Sequence, residues 1–372
     1  MRVFPVDNPQ LLKAYVDVPW SIYCSDPHWV PPLKSEFRKY MSPRHNPFFR
    51  QAEIEHFVAL ANNGDTLGRI SATVYPAHNQ RYETRTGFFG FFEAVKDSKV
   101  AQALLGAAEA WVRERGMERI AGPYNYSSTQ EMGLLVEGFD IPPALFQTYN
   151  PSYYPDLLQA FGYRQEFSMQ TFAIAVDSIL AAAPAFLPTN HAVAAKEQLS
   201  ARRINMRRFR QETEILRALF NASFAANDAV LPIAKEMFEF QAQSLKPFLD
   251  PRLISIIEKQ GQPVAFTLVV PNLNELLVRF NGSAPFWALL TYRRLLRQIR
   301  SVVVLAIGAL PELHGAGLGR SLVAEIIRSL AESNYELIHT TWIHEQNWMI
   351  RVLAQSVAVH HRKCFAVYGR TF

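Results

Sequence analysis

The sequence predicts an α/β protein, of the α+β type, in which two domains share one order of elements. Its 372 residues correspond to about two domains at roughly 150 residues each. Apolar residues make up 49% of the chain and charged residues only 19%, a balance that excludes a disordered protein and allows two buried cores. The order strand, helix, hairpin, strand, helix, strand occurs twice along the chain.

The first three elements of the repeat are a short strand, a helix and a hairpin. Residues 2–23 and 205–225 each predict a short strand followed by an amphipathic helix. Residues 57–74 and 253–270 each contain two apolar strands on either side of a polar turn with one glycine, which is the pattern of a β-hairpin.

The last three elements are a strand, a helix and a second strand. We expect them in the first half at 87–95, 100–116 and 117–124, and in the second half at 301–309, 319–334 and 336–343. The predicted domains are therefore 1–165 and 205–372. Residues 166–204 are expected to form a connector, in which an Ala- and Pro-rich stretch precedes a bridging helix at 191–203.

The charge and cysteine content narrow the classes of partner and compartment. The net charge is +5, which favours phosphorylated cofactors, membrane surfaces or nucleic acid, but the charge is not concentrated in a tail and we expect no nucleic acid. Cys24 and Cys364 are far apart and predict two free thiols rather than a disulfide or a metal site. Neither a secretory signal nor an apolar run of about 20 residues is visible. We therefore expect a cytoplasmic protein and leave open a peripheral position at the inner membrane.

The stretch "LPELHGAGLGRSL" (310–322) carries the clearest sign of a binding site. It places three glycines between an apolar strand and a helix. A helix N-terminus offers free N–H groups and positive potential to a phosphate, and glycine allows close approach of the backbone. Arg320 adds a cation, and a plain tight turn is the alternative. The spacing fits neither the G-x-G-x-x-G motif nor the P-loop.

Residues 310–327 resemble the acyl-CoA pyrophosphate loop of the GNAT N-acetyltransferase superfamily, with His314 at the family's Arg/Gln position and Gly317 and Gly319 at its two small positions. The resemblance implies that loop amides bind the CoA pyrophosphate and that the pantetheine arm lies in a splay between the two flanking strands. Asn347 matches an Asn that often contacts that arm. The cofactor-binding residues implied in this way are His314, Gly315, Gly317, Leu318, Gly319, Arg320 and Asn347.

The first half resembles the same fold without its loop, because "KDSKVAQALL" (96–105) has no glycine. We therefore interpret it as a degenerate GNAT-like domain on the substrate side. Residues 122–154 resemble a group of tandem-GNAT bacterial proteins. Some of these are similar to bacterial ceramide synthases, which attach a long acyl chain to a sphingoid amine.

Acyl transfer from a thioester to an amine needs a base, a donor to the oxyanion and an acid for the thiolate. The candidate bases are Glu131, His339, His344 and Glu345. Glu93, which ends the strand before the missing loop of the first half, is either a buried polar anchor or a base. The family's usual Tyr acid would stand at Ala354, so Tyr149, with Tyr153 and Tyr154 beside it, is the candidate acid. Structural roles are the alternative for each of these residues. Glu131, for example, also fits a capping box with Ser128 at a helix start. We expect no metal.

The resulting hypothesis is an N-acyltransferase that takes its acyl group from acyl-CoA, or from an acyl carrier protein, and passes it to an amine by direct attack. A sphingoid or other lipid amine is one candidate substrate. The alternatives are a small-amine N-acetyltransferase, an aminoacyl-tRNA-dependent transferase and a non-catalytic CoA-binding protein. The helix predicted at 286–300 carries Arg293, Arg294, Arg297 and Arg300, which suits either a solvated surface or an anionic membrane.

Overall fold

The computed structural model describes residues 1–127, 129–186, 199–227, 230–313, 318–346 and 359–372. The chain forms two compact units. Unit 1 comprises Met1–Gln170, Leu277–Pro285 and Lys363–Phe372, and unit 2 comprises Thr171–Leu276 and Phe286–Arg362. Each unit is a mixed sheet with helices against it, as the sequence predicts.

The strands of the described residues are β1 (Arg2–Pro5), β2 (Glu53–Leu60), β3 (Thr66–Val74), β4 (Thr86–Ala94), β5 (Arg119–Gly122), β6 (Tyr124–Asn125), β7 (Glu131–Met132), β8 (Leu134–Glu137), β9 (Arg164–Ala175), β10 (Leu199–Arg203), β11 (Ile254–Lys259), β12 (Gln262–Pro271), β13 (Ser301–Ala309), β14 (Leu337–Thr340), β15 (Ile343–His344) and β16 (Val359–Thr371). The α-helices are α1 (Pro9–Ile22), α2 (Lys34–Tyr40), α3 (Pro76–Tyr82), α4 (Ser98–Glu114), α5 (Tyr154–Ala160), α6 (Val176–Phe186), α7 (Phe209–Ser223), α8 (Lys235–Leu245), α9 (Asn274–Phe280), α10 (Phe286–Leu296) and α11 (Leu318–Ala331). Short 3-10 turns occur at Pro47–Arg50, Met206–Arg208, Lys246–Phe248, Pro251–Leu253 and Pro311–Leu313.

In unit 1, β1 to β4 pair antiparallel in chain order, and β5 lies parallel to β4. The end of β16 closes this sheet against β5, with Thr371 opposite Arg119. Helix α4 packs on the sheet because its apolar residues recur every three or four positions. Leu104 and Ala108 are fully buried there beside Ile70 of β3.

Unit 2 repeats this arrangement. Strands β10 to β13 pair antiparallel in chain order, β14 lies parallel to β13, and the end of β9 pairs antiparallel with β14. Helix α7 buries Leu216 and Leu219 against Phe266 of β12, as its apolar spacing predicts. The two predicted hairpins are confirmed as β2–β3 and β11–β12.

Three local predictions were wrong. The bridging helix expected at 191–203 is strand β10 over its last five residues, and 187–198 lie outside the described residues. Long-range contacts override its local helix propensity, because Arg202 pairs with Glu212 and Glu258 while β10 pairs with β11.

The capping box is wrong because Glu131 lies in strand β7 and does not begin a helix; Ser128 lies outside the described residues. The strand expected at 336–343 ends at Thr340, and Trp342 occupies the turn before β15.

None of the described helices is both long enough and apolar enough to cross a bilayer.

Candidate active site

The pairing between two parallel strands of unit 2 stops partway along. Strands β13 and β14 pair from Ser301 and Leu337 to Val304 and Thr340, and Thr341 N then donates to Val304 O at 3.1 Å. Strand β13 continues to Ala309, whereas β14 has ended. A bulge on β13 between the partners of Leu268 and Val269 bends the strand at this point. The described part of β13 beyond Val304 thus offers an edge that β14 does not cover.

Helix α11 begins beside the end of β13 in the sequence, after the predicted loop. Its first residue, Leu318, is buried beside Leu322 and Val264. Gly319 and Arg320 are exposed, and a Cβ built on Gly319 would meet no atom within 4 Å. In the described first turn no side chain is acidic, so nothing there neutralises the positive end of the helix. His314, Gly315 and Gly317 lie outside the described residues, as does Asn347.

The same place in unit 1 is filled by the chain itself. Pairing between β4 and β5 stops at Phe88 and Ala121. Beyond it, Phe91 N donates to Asn125 Oδ1 at 2.7 Å, and a Cβ at Gly90 would lie 1.9 Å from Tyr124 O. The segment Tyr124–Asn125 therefore lies directly against β4, where only a glycine allows so close an approach.

The helix that follows β4 is also capped by its own sequence. Asp97 accepts a hydrogen bond from Lys99 N at 2.8 Å and so occupies the N-terminus of α4 with a carboxylate. A phosphate would be repelled there by this negative charge. The sequence predicts that the first half lacks the loop. In unit 1, Tyr124–Asn125 and the Asp97 carboxylate fill the two places that correspond to the open strand end and the helix start of unit 2.

The histidines predicted as bases lie on and after β14. His339 is half-buried and stands in register with Val303 of β13 and Ala173 of β9. Since Ile338 belongs to the core, His339 faces the other side of the sheet. His344 Nδ1 accepts a hydrogen bond from Gln346 N at 3.3 Å, and Glu345 is exposed.

Glu131, predicted as a base, belongs to a hydrogen-bonded chain in unit 1. Asn125 Nδ2 donates to Glu131 Oε2 at 2.9 Å, and the oxygen of the same amide receives Phe91 N. Tyr40 donates through its hydroxyl to Asn125 O at 3.1 Å. Burial raises the pKa of Glu131, and the bond from Asn125 opposes that rise. Glu131 therefore holds the side chain that fills the end of β4.

Tyr149, predicted as an acid, is bound within its own unit. Its hydroxyl lies 2.9 Å from Asp26 Oδ2 and 2.9 Å from Phe139 O. Burial and the Asp26 carboxylate raise the pKa of Tyr149. Tyr153 donates to Ala94 O at 2.8 Å.

Glu93, for which the sequence predicts either a buried polar anchor or a base, is a buried carboxylate near the end of β4 in unit 1. Glu93 Oε2 accepts hydrogen bonds from Tyr23 at 2.8 Å and Tyr154 at 2.7 Å. Arg69 Nη2 lies 3.6 Å from Glu93 Oε1, and Arg69 also donates to Tyr15 O at 3.1 Å. A second sequence signal for this cluster is Arg69, the one charged residue of strand β3.

In the described part of the chain, no group of three His, Cys, Asp or Glu side chains is arranged to hold a metal ion. Arg202 is paired with acidic partners, and Arg203 donates to Ser255 and Ser329 at 2.6 Å each.

Comparison with solved structures identifies the fold as two GNAT domains in tandem. A tandem GNAT protein from the clavulanic acid biosynthesis pathway (without AcCoA) matches with a TM-score of 0.59 at 11% identity and covers 100% of this chain and 98% of its own. A GCN5-related N-acetyltransferase from Sphaerobacter thermophilus matches with a TM-score of 0.53 at 12% identity, covering 100% and 96%. No family model matches the sequence.

Two relatives extend the match to sequence. Protein YghO of Escherichia coli (strain K12) is 31% identical over 369 residues, which is 98% of this chain and 93% of YghO. The bacterial ceramide synthase of Caulobacter vibrioides (strain NA1000 / CB15N) is 30% identical over 377 residues, covering 100% of this chain and 97% of that protein. The chain therefore belongs to the family of these two proteins, and it has the fold of tandem GNAT proteins.

Proposed function

We propose that this protein is an N-acyltransferase that moves an acyl group from acyl-CoA to the nitrogen of a long-chain lipid amine. One observation carries the proposal. In the described part of unit 2, β14 ends before β13 does, and the first turn of the helix that follows has no acidic residue. In unit 1 the chain itself blocks both of these features. The name of the Caulobacter relative, a ceramide synthase, supports a lipid amine as acceptor.

In this proposal the donor lies along unit 2. The first turn of α11, with Gly319 and Arg320, binds the pyrophosphate together with the loop residues His314, Gly315 and Gly317. The pantetheine arm lies along β13 past Val304. Asn347 would contact the same arm.

The chemistry is a single displacement at the thioester carbonyl. The neutral amine attacks the carbonyl carbon, and the C–S bond of the tetrahedral intermediate then breaks. CoA leaves as the thiolate and takes up a proton, and the product is an amide. A backbone N–H on the uncovered edge of β13 would stabilise the oxyanion. We assign removal of the amine proton to His339, since it lies on the strand that flanks this edge, with His344 and Glu345 as the other candidates.

For unit 1 we propose recognition of the amine, because its own side chains fill the places that would hold CoA. Glu131 then acts as a positioning residue, which fixes Asn125 against β4. Tyr149, held by Asp26, stays a candidate acid only if that contact opens.

The test begins with calorimetry at fixed salt using CoA, acetyl-CoA and palmitoyl-CoA, followed by thiol release from palmitoyl-CoA with sphinganine as acceptor. Tighter binding of palmitoyl-CoA and sphinganine-dependent release of CoA would support the proposal. Equal binding of all three donors, with release only to small polar amines, would replace it by a small-amine N-acetyltransferase.

Other outcomes point to other donors or to no catalysis. Binding of CoA without acyl transfer to any amine would indicate a CoA-binding protein. Absence of binding to all three would direct the search to acyl carrier protein or, if RNA binding falls steeply with salt, to aminoacyl-tRNA.

A further inference from the structure

Helix α10 exposes apolar side chains to an unusual degree. Phe286 is 75% exposed, Leu290 73% and Trp287 54%. Of the eight large apolar side chains exposed in the described part of the chain, four lie on this one helix. Scattered apolar residues are normal on a protein surface, whereas a cluster indicates a surface that another molecule covers.

The helix is fixed to its unit by the opposite face. Ala288 and Leu295 are buried, and Ile299, just past the helix, is buried as well. At about 100° per residue, positions 288 and 295 share one side of the helix, and Phe286 and Leu290 share the other. The side of the helix that faces the core is therefore formed by Ala288 and Leu295, and Phe286 and Leu290 face away from it.

The exposed side changes from apolar to basic along its length. Leu290 follows Phe286 by four residues, Arg293 and Arg294 follow one turn later, and all four are exposed. Arg297, just past the helix, is exposed too. In the part of the chain that the structure describes, Arg294 and Arg297 have no acidic partner within ion-pair distance.

We infer that this exposed side of α10, defined by Phe286, Trp287, Leu290, Arg293 and Arg294 and called here the α10 face, binds the surface of an anionic lipid bilayer. Aromatic and leucine side chains enter the boundary between headgroups and acyl chains, and arginines bind lipid phosphates. A protein partner with an acidic rim would also meet the arginines. A bilayer fits better because it has an apolar layer beside a layer of phosphates. Two aromatic side chains and a leucine at one end of the helix match the apolar layer, and the guanidinium groups at the other end match the phosphates.

The inference does not rest on acyl transfer, because lipid binding is measured without donor or amine. If both hold, the α10 face would bring the enzyme to the surface where a lipid amine resides. Failure of lipid binding would leave the proposed chemistry intact, and failure of catalysis would leave the lipid contact intact.

The experiment is co-sedimentation of the full chain with vesicles of phosphatidylcholine, with and without phosphatidylglycerol. We expect binding only to the anionic vesicles, weakening as salt is raised. At about five-fold per arginine, Arg293→Gln/Arg294→Gln should weaken partitioning roughly 25-fold. Phe286→Ser/Leu290→Ser should abolish sedimentation, since it removes the apolar anchor. Arg85→Gln/Arg164→Gln changes the net charge equally at exposed positions elsewhere in the chain, and should bind like the wild type.

Fluorescence locates the contact. Adding anionic vesicles should shift the tryptophan fluorescence emission of the wild type to shorter wavelength, because Trp287 enters a less polar environment. The shift should be much smaller in Trp287→Phe. Circular dichroism of each variant confirms that these surface changes leave the fold intact.

Three results would overturn the inference. The first is that the protein does not bind anionic vesicles at low salt. The second is that the wild type and both α10-face variants bind them equally. The third is that the protein forms a dimer without lipid and that Phe286→Ser/Leu290→Ser dissociates this dimer. The last would identify the α10 face as a contact between copies of this chain.

Discussion

A single carboxylate, Glu93, ties together three elements of unit 1. Tyr23 follows α1, Tyr154 opens α5, and Arg69 stands opposite Glu93 in the pairing of β3 with β4. Burial raises the pKa of Glu93, and Arg69 and the two hydroxyls oppose the rise. Removing one partner from such a cluster costs more than one hydrogen bond, because a buried polar group is left unpaired.

Tyr154→Phe tests that cluster. The change removes the bond to Glu93 and also the acceptor of Ala94 N, which donates to the Tyr154 hydroxyl at 2.9 Å. We expect a loss of about 1–3 kcal/mol or more in the free energy of unfolding, measured by urea denaturation. Tyr292→Phe removes a hydroxyl at an exposed position and should leave stability unchanged. Equal stability of both variants would show that the Tyr154 bonds contribute nothing.

Lys363 gives a pH-dependent prediction. It is buried, its Nζ donates to Ile141 O at 2.6 Å, and it lies over the ring of Tyr149. Burial lowers the pKa of its amine to about 7 from 10.5, an effect that Asp140 opposes in part. Between these two pH values the unfolded chain binds more protons than the folded one, so folding becomes more favourable as pH rises.

The measurement is urea unfolding of the wild type and Lys363→Met from pH 7 to pH 10. The methionine variant cannot titrate at this site, so its stability relative to the wild type should fall steadily as pH rises. A constant difference across the range would contradict the lowered pKa. Lys96→Met, which removes an exposed amine, is the control.

At the scale of elements, the two equivalent helix starts differ in charge. Helix α4 begins with the carboxylate of Asp97, and the first turn of α11 has no acidic residue. Gly319→Glu would give α11 the feature that α4 has. Because a Cβ at Gly319 meets no neighbour, the fold should tolerate the change.

We expect Gly319→Glu to weaken CoA binding at least ten-fold, since about 1.4 kcal/mol of repulsion corresponds to that factor. Calorimetry with CoA measures it. Gly319→Gln has nearly the same size without the charge and should bind more tightly than Gly319→Glu. Equal affinities of the two variants would exclude a charge effect and, with it, the pyrophosphate at this helix start.

Some of these elements could be predicted from the sequence and others could not. Strand β13 matches its predicted bounds because its nine residues are all apolar or small and five of them are buried. Strand β10 was missed because its state depends on β11 and on Glu212, which lies outside its own segment. The glycine motif predicted the start of α11. The contact of Asn125 with Phe91 N could not be predicted, since it joins residues 34 positions apart.

At the scale of the whole molecule, the repeat conserves architecture but not the binding feature. Both units have antiparallel strands followed by a parallel pair that stops partway. In unit 1 the chain covers the end of that pair with Tyr124–Asn125, fixed by Glu131 and Tyr40. Filling this place adds hydrogen bonds within the unit and removes a surface on which a cofactor could lie.

The stoichiometry of donor binding follows from that difference. We expect one molecule of CoA per chain. Among the described residues, only unit 2 combines a strand that outruns its parallel neighbour with a helix start that lacks a carboxylate. Calorimetry of the wild type should give a single site, and Gly319→Glu should weaken that site at least ten-fold without exposing a second. Asp97→Ala should lower stability by about 1 kcal/mol through loss of the helix cap, with CoA affinity unchanged. Two CoA sites in the wild type would show instead that unit 1 opens to bind CoA. So would one site whose affinity for CoA is unchanged in Gly319→Glu but falls in variants of Asn125.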